Sequence, residues 1–232
     1  MIYPRKTNDD YMIRYTVLLS MVIMLTHGLG TRAQGQNLNA QKLLQSLAEK
    51  HNGYDNLAAD FTFHYKNLQT ENENQWKGSI LMKGEKYKLV LHHSTIFYNG
   101  QTLWNYLHEA NEVNISEPPE ETDPDIINHP HQIFDIYKKD FKSKYLGEET
   151  LDGNSLYVIN LYPNDLDKDY SRIRLYLTKA DIQIHTAKIF GKDGSRYVLQ
   201  IDQLKPNQTF ADSVFVFNKK AHPGVEVIDM RF

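Results

Sequence analysis

The 232-residue chain contains no cysteine. That absence excludes disulfides, thiolate metal centres and cysteine nucleophiles. It also excludes the lipidated cysteine that would tether a bacterial lipoprotein behind its leader. A cysteine-free exported chain suits a bacterial periplasm better than an extracellular disulfide scaffold. The sequence also has no G-x-S-x-G elbow, no G-x-x-x-x-G-K-[ST] loop and no G-x-G-x-x-G turn, so acyl-enzyme and nucleotide chemistry lack their usual handles. Long apolar runs are missing as well. The longest, Tyr15 to Leu25, is shorter than the roughly 20 residues that cross a bilayer.

That short run has the form of an export leader. Arg14 precedes it, and the small-residue site Thr31-Arg32-Ala33 follows, so cleavage is expected after Ala33. Asp9 and Asp10 are unusual ahead of a leader, and Met12 makes a more ordinary start. Residues 1–33 are therefore expected to be a signal peptide and 34–232 a single domain. Arg5, Lys6, Arg14 and Arg32 leave with the leader, as do Asp9 and Asp10, which takes the formal charge from −3 to −5. An acidic balance of that size argues against nucleic acid and against docking on an anionic bilayer.

From Asn39 to His51 the apolar residues Ala40, Leu43, Leu44, Leu47 and Ala48 recur at helical spacing, with Gly53 as a stop. The period then changes to two. Alternating segments begin at Phe61 and continue in Gln75 to Lys83, Glu85 to His92, Ser94 to Asn99, Gln101 to Leu107 and Val113 to Ser116. Asn99-Gly100 is expected to make a two-residue hairpin turn. Glu117 to Pro130 is an acidic, proline-bearing loop, followed by a helix-like segment from Gln132 to Phe141 with Ile133, Phe134, Ile136 and Tyr137. Strand patterns resume in Ser143 to Thr150, turn at Asp152-Gly153, and continue in Leu156 to Tyr162, Arg172 to Lys179, Ile182 to Phe190 and Arg196 to Leu204. Val214 to Phe217 and Val225 to Met230 close the chain. About a dozen strands joined by short turns predict an antiparallel meander.

One face of that sheet is apolar. Its candidates are Phe61, Phe63 and Tyr65, then Ile80 and Met82, then Tyr87, Leu89 and Leu91. Ile173, Leu175 and Leu177 follow, then Tyr197, Leu199 and Ile201. A closed barrel, a sandwich and an open sheet with a cavity all account for such a face.

The ten histidines do not assemble a metal site by spacing. His92 and His93 are adjacent on a strand and point to opposite faces, and His129 and His131 need carboxylates from elsewhere. The acids Glu117, Glu120, Glu121, Asp123 and Asp125 lack the spacing and glycine of a calcium loop. Trp76 and Trp104 are read as core. No catalytic residue, metal or cofactor is expected.

The order of segments resembles the LolA-like periplasmic lipoprotein carriers over nearly the whole mature chain. The resemblance rests on Ala59-Asp60-Phe61-Thr62-Phe63, on the hairpin Asn99-Gly100-Gln101-Thr102-Leu103-Trp104-Asn105-Tyr106, and on Phe215-Val216-Phe217 before Pro223-Gly224-Val225-Glu226-Val227. It implies a mainly β fold, an unclosed antiparallel barrel of about eleven strands whose concave apolar face is covered by helices. It implies a periplasmic monomer that takes acylated lipoproteins from an ATP-driven inner-membrane releasing complex to an outer-membrane acceptor. The strand residues above would line the lipid cavity. The lids would be the helix carrying Leu43, Leu44 and Leu47 and the segment carrying Ile133, Phe134, Ile136 and Tyr137. In many carriers an arginine and a proline follow the strand that ends here at Lys83, and the arginine bonds the lid shut. Gly84-Glu85 stand there in this chain, leaving Lys83 as the candidate lid contact, although an ammonium copies a five-donor guanidinium poorly. A second reading is a lipid or lipoprotein sensor (or lipid-transfer protein) of the same fold, and a third is a periplasmic hydrolase or metal enzyme. The hydrolase would need polar residues converging inside the pocket.

Overall fold

The computed structural model describes residues 39–117, 130–138 and 141–231. The expected leader and most of the acidic loop lie outside the described residues. An α-helix, α1, covers residues 39–52. Its Ala40 and Leu47 are fully buried, as the helical spacing of apolar residues requires.

After α1 the chain builds one sheet from two antiparallel meanders. The first comprises β1 (Leu57–Asn67), β2 (Glu73–Lys83), β3 (Lys86–Val90), β4 (Ser94–Tyr98), β5 (Leu103–Leu107) and β6 (Glu112–Ser116). The second comprises β7 (Phe141–Leu151), β8 (Asn154–Pro163), β9 (Tyr170–Thr178), β10 (Ile184–Gly191) and β11 (Ser195–Pro206). Antiparallel pairing of β1 with β11 joins them. A final strand, β12 (Glu226–Asp229), lies parallel to β6. The twelve-stranded order is β12-β6-β5-β4-β3-β2-β1-β11-β10-β9-β8-β7. Because β12 and β7 occupy opposite ends of that order, the sheet is unclosed, as the resemblance implied.

Register decides which side chains share a face. Between β1 and β11 the pairing shifts from Asp60↔Gln203 to Phe61↔Ile201, so Asp202 is the extra residue of a bulge. The bulge turns both Ile201 and Leu204 toward the core, and Thr62 Oγ1 donates to the Asp202 carboxylate at 2.7 Å. The turn at Asp152-Gly153 has φ values of +50° and +79° between the paired residues Leu151 and Asn154, the geometry of a two-residue hairpin.

Four local expectations need correction. At Asn99-Gly100 the last cross-strand pair is Tyr98↔Leu103, so the loop has four residues. Asn99 Oδ1 accepts from the amides of Gln101 and Thr102 at 3.0 and 2.9 Å, which stabilises the longer turn. Gln132 to Phe141 is not one helix: a 3-10 helix, η1 (Pro130–Lys138), ends before Phe141, which starts β7. Val214 to Phe217 is not a strand, because Asp212–Phe215 forms a 3-10 turn, η2. This segment is held by side chains and not by a backbone ladder. Phe215 is fully buried, and Phe217 packs on Phe97 and Tyr106 at 5.8 and 5.5 Å and stacks on His222 at 4.8 Å. Finally, β12 returns parallel, so the sheet is not a simple meander. The C-terminal segment thereby straps the outer face of β3 to β6.

The apolar concave face and its covers

Cross-strand register brings the expected lining residues together. Phe63 faces Trp76 on β2 and Leu199 on β11, and Tyr65 faces Tyr197. Ile80 faces Leu89, and Met82 faces Tyr87. Ile173 and Leu175 face Ile189 and Ala187 on β10. Phe61, Phe63, Ile80, Tyr87, Leu89, Ile173, Leu175, Leu177 and Leu199 are buried in one continuous apolar cluster, with Met82, Leu91, Tyr197 and Ile201 packed against it. Tyr65 joins through its ring contact with Tyr197 at 5.2 Å. Burial pushes the Tyr197 hydroxyl pKa up.

The cluster also contains residues that periodicity does not single out. Leu57 and Ala59 extend the β1 row, and Ile159 and Leu161 extend the face onto β8. Sequence could not select them on β8, because Leu156 and Val158, on the opposite face, are equally buried. A strand apolar on both faces carries no period-two signal.

Two separate covers lie over this face. From α1, Ala40 and Leu47 are buried in the cluster, with Leu43 and Leu44 packed against it. From η1, Ile133, Phe134 and Ile136 are buried in the same cluster. Tyr137 lies in η1, but its side chain is outside the described part of the structure.

The covers are tied together at one end. His51, near the end of α1, places Nδ1 3.1 Å from the Phe134 carbonyl and Nε2 3.1 Å from Gln183 Oε1. Gln183, just ahead of β10, is bonded in turn to the Tyr54 hydroxyl. Lys50 pairs with Asp181 at 3.4 Å. From η1, the His131 ring stacks on Tyr87 at 4.2 Å. Burial first, then the neighbouring Tyr98, pushes the Tyr87 hydroxyl up to about 12.

Lys83, the candidate lid contact, is bonded away from both covers. Its ammonium bonds Asp212 Oδ1 at 2.7 Å, while Lys86 bonds Oδ2 at 2.7 Å. These bonds hold the Asp212 carboxyl down to about 2 and fasten the β2–β3 hairpin to the C-terminal strap. The described tie between the two covers comes from His51 of α1.

Beside that tie lies a pocket of about 210 Å³. Its lining mixes the apolar side chains of Leu57, Met82 and Phe134 with the polar ones of His51, Asn52, Tyr54, Asp55 and Asp135. Small-molecule sites usually enclose about 300–1,000 Å³, so this pocket by itself is too small for a long chain. Of the other candidate residues, His131 reaches this face as the ring stacked on Tyr87. His92 and His93 are exposed, and among the described residues no group of three His, Asp or Glu side chains is placed to hold a metal ion.

A family model for the outer membrane lipoprotein carrier protein LolA matches residues 53–218. No curated protein sequence matches the chain. Among solved structures, an uncharacterized conserved protein from Thermus thermophilus is similar with a TM-score of 0.55 and 13% identity, over 82% of this chain and 99% of that one. A LolA superfamily protein from Nitrosomonas europaea is similar with a TM-score of 0.41 and 16% identity, over 77% and 97% of the two chains. The Thermus likeness gives the fold, and the sequence match gives the family: this chain belongs to the LolA family of outer membrane lipoprotein carrier proteins.

Proposed function

We propose that this protein is a periplasmic carrier that shields the acyl chains of lipoproteins on its concave face and moves them from the inner to the outer membrane. The observation that supports this most is the way the face is closed. Its apolar cluster is covered by two short helical pieces joined at one end by side-chain bonds, so it can open without breaking any strand pairing.

The energetics fit that role. An acyl chain of about fifteen methylenes costs on the order of 12 kcal/mol to expose to water, at roughly 0.8 kcal/mol each. A carrier must replace that water with apolar contact. Lifting the covers exposes the same class of surface that an incoming chain would cover, so loading exchanges one apolar contact for another and need not be strongly uphill. On this reading the donor is an ATP-driven inner-membrane releasing complex and the recipient an outer-membrane acceptor. The carrier works as a monomer and catalyses no covalent step.

The test uses the mature chain from residue 34, incubated with energised spheroplasts. The carrier reading expects outer-membrane lipoproteins to leave the cells as soluble one-to-one complexes. Recovery of the protein empty, or loaded only with free phospholipid in native mass spectrometry, would overturn lipoprotein transport.

A further inference from the structure

The chain is acidic overall, with a formal charge of −3, yet register collects cations on one part of the outer face. On β10, Lys188 is directly opposite Arg174 of β9, and Phe190 is opposite Arg172. Arg196 of β11 is opposite Phe190 from the other side. Asn160 of β8 links Arg174 to Lys144 of the edge strand β7, and Lys142 lies two residues away on the same face. Directly opposed residues of a sheet share a face, and this one is opposite to Ile173, Leu175, Ala187 and Ile189 of the apolar cluster.

The arrangement is costly for the protein alone. Arg174 against Lys188 is a directly opposed like-charge pair, which is destabilising. Among the described residues, none of these cations has a carboxylate within ion-pair distance. The stripe ends at β1, where Lys66 is paired with Glu73 at 3.2 Å. Its guanidinium groups are also held in place. Arg172 lies 3.8 Å from the centre of the Phe190 ring, with Arg196 at 5.1 Å and Arg174 at 5.7 Å. Arg174 Nε donates to Asn160 Oδ1 at 2.9 Å, and the Arg172 Nε is buried without a hydrogen-bond partner. Arg196 Nη1 is taken up by the Gly191 and Ser195 carbonyls at 3.2 and 2.7 Å and lies in the field of Asp193, so the groups left for bidentate contacts with carboxylates are chiefly the stacked Arg172 and Arg174.

We infer that this stripe is a docking surface for an extended acidic polypeptide segment of a partner protein. From β7 to β1 it crosses six strands, about 24 Å at roughly 4.8 Å per strand, which an extended segment of about seven residues would span. The stripe runs across the strands, around the curve of the half-barrel. A flexible segment can follow that curve, whereas a flat bilayer touches it along a narrow line only. The net negative charge of the whole molecule opposes approach to an anionic membrane. A narrow acidic segment, within a screening length of about 8 Å, experiences mainly the stripe.

The probe is a fluorescein-labelled octaglutamate peptide, read by anisotropy against the mature protein. The wild type binds it with an affinity that falls steeply with salt, and Arg174→Gln/Lys188→Gln raises Kd at least tenfold while palmitoyl-probe binding is unchanged. In the free protein, Lys188→Glu places a carboxylate opposite Arg174 and raises Tm. The inference is overturned by an octaglutamate Kd that the double substitution leaves unmoved, by no binding at all, by capture on phosphatidylglycerol vesicles through the same residues without peptide binding, or by a Tm that falls in Lys188→Glu.

Discussion

The ring of Phe61 occupies the space where residue 78 would carry a side chain. Gly78 is its direct cross-strand partner. A Cβ built there would lie 2.6 Å from Phe61 Cε2 and 2.8 Å from the Val90 carbonyl, and backbone cannot yield as a flexible side chain would. Phe61 is 2% exposed, so the ring has nowhere to retreat. Gly78→Ala should therefore destabilise the protein by about 1–3 kcal/mol through overpacking, read by chemical denaturation. Adding Phe61→Leu should recover part of that loss, a coupling that two independent sites would not show.

His51 joins three elements with two ring nitrogens. The Phe134 carbonyl can only accept, so Nδ1–H donates to it. With Gln183 Oε1 toward Nε2, the second nitrogen also carries a proton. With the Gln183 amide turned over, its NH₂ donates to a bare Nε2 and its oxygen accepts from the Tyr54 hydroxyl, so the neutral ring is served equally well. Either arrangement keeps α1 tied to η1. His51→Ala should cost about 1–2 kcal/mol of local stability, giving roughly five- to thirtyfold faster amide exchange in residues 39–52. The strands β8 to β11 should be unaffected. Uniform acceleration across the sheet would mean that His51 supports the whole fold and not the seating of α1.

Asp212 is held near a pKa of about 2 by Lys83 and Lys86, below the ordinary aspartate value of 3.8. A carboxyl whose folded pKa is depressed adds stability above its unfolded pKa, and that contribution is lost as pH falls toward the folded value. Asp212→Asn should therefore lower Tm at pH 6. The gap to the wild type should close between about pH 4 and pH 2. All three side chains of this clamp are partly exposed, so the effect is small and sensitive to salt.

Much of the apolar face was legible in the sequence, because period-two alternation at Phe61, Phe63, Leu89, Ile173 and Leu175 is a direct imprint of one buried side. The buried covering residues Leu47 and Ile133 were legible for the corresponding helical reason. His51 was not, since its role depends on Phe134 and Gln183, which are 83 and 132 residues away. The segment around Phe215 reads as a strand by composition. Only its aromatic packing against the outer face shows why it forms a turn. The basic stripe is invisible in sequence for a related reason. Lys144, Arg174, Lys188 and Arg196 become neighbours only once the register is fixed, and the overall charge points the other way.

The central claim, that acyl chains lie on the concave face, is tested most directly by placing a photoreactive benzoylphenylalanine at Tyr197 or at Val198. These neighbours sit on opposite faces of β11, Tyr197 packed against the apolar cluster and Val198 opposite Lys188 of the outer face. After loading with a radiolabelled dipalmitoyl lipopeptide and irradiation, the account predicts an acyl adduct from position 197 and none from 198. Equal labelling at both positions, or none at 197 under conditions where the lipopeptide is bound, would contradict it.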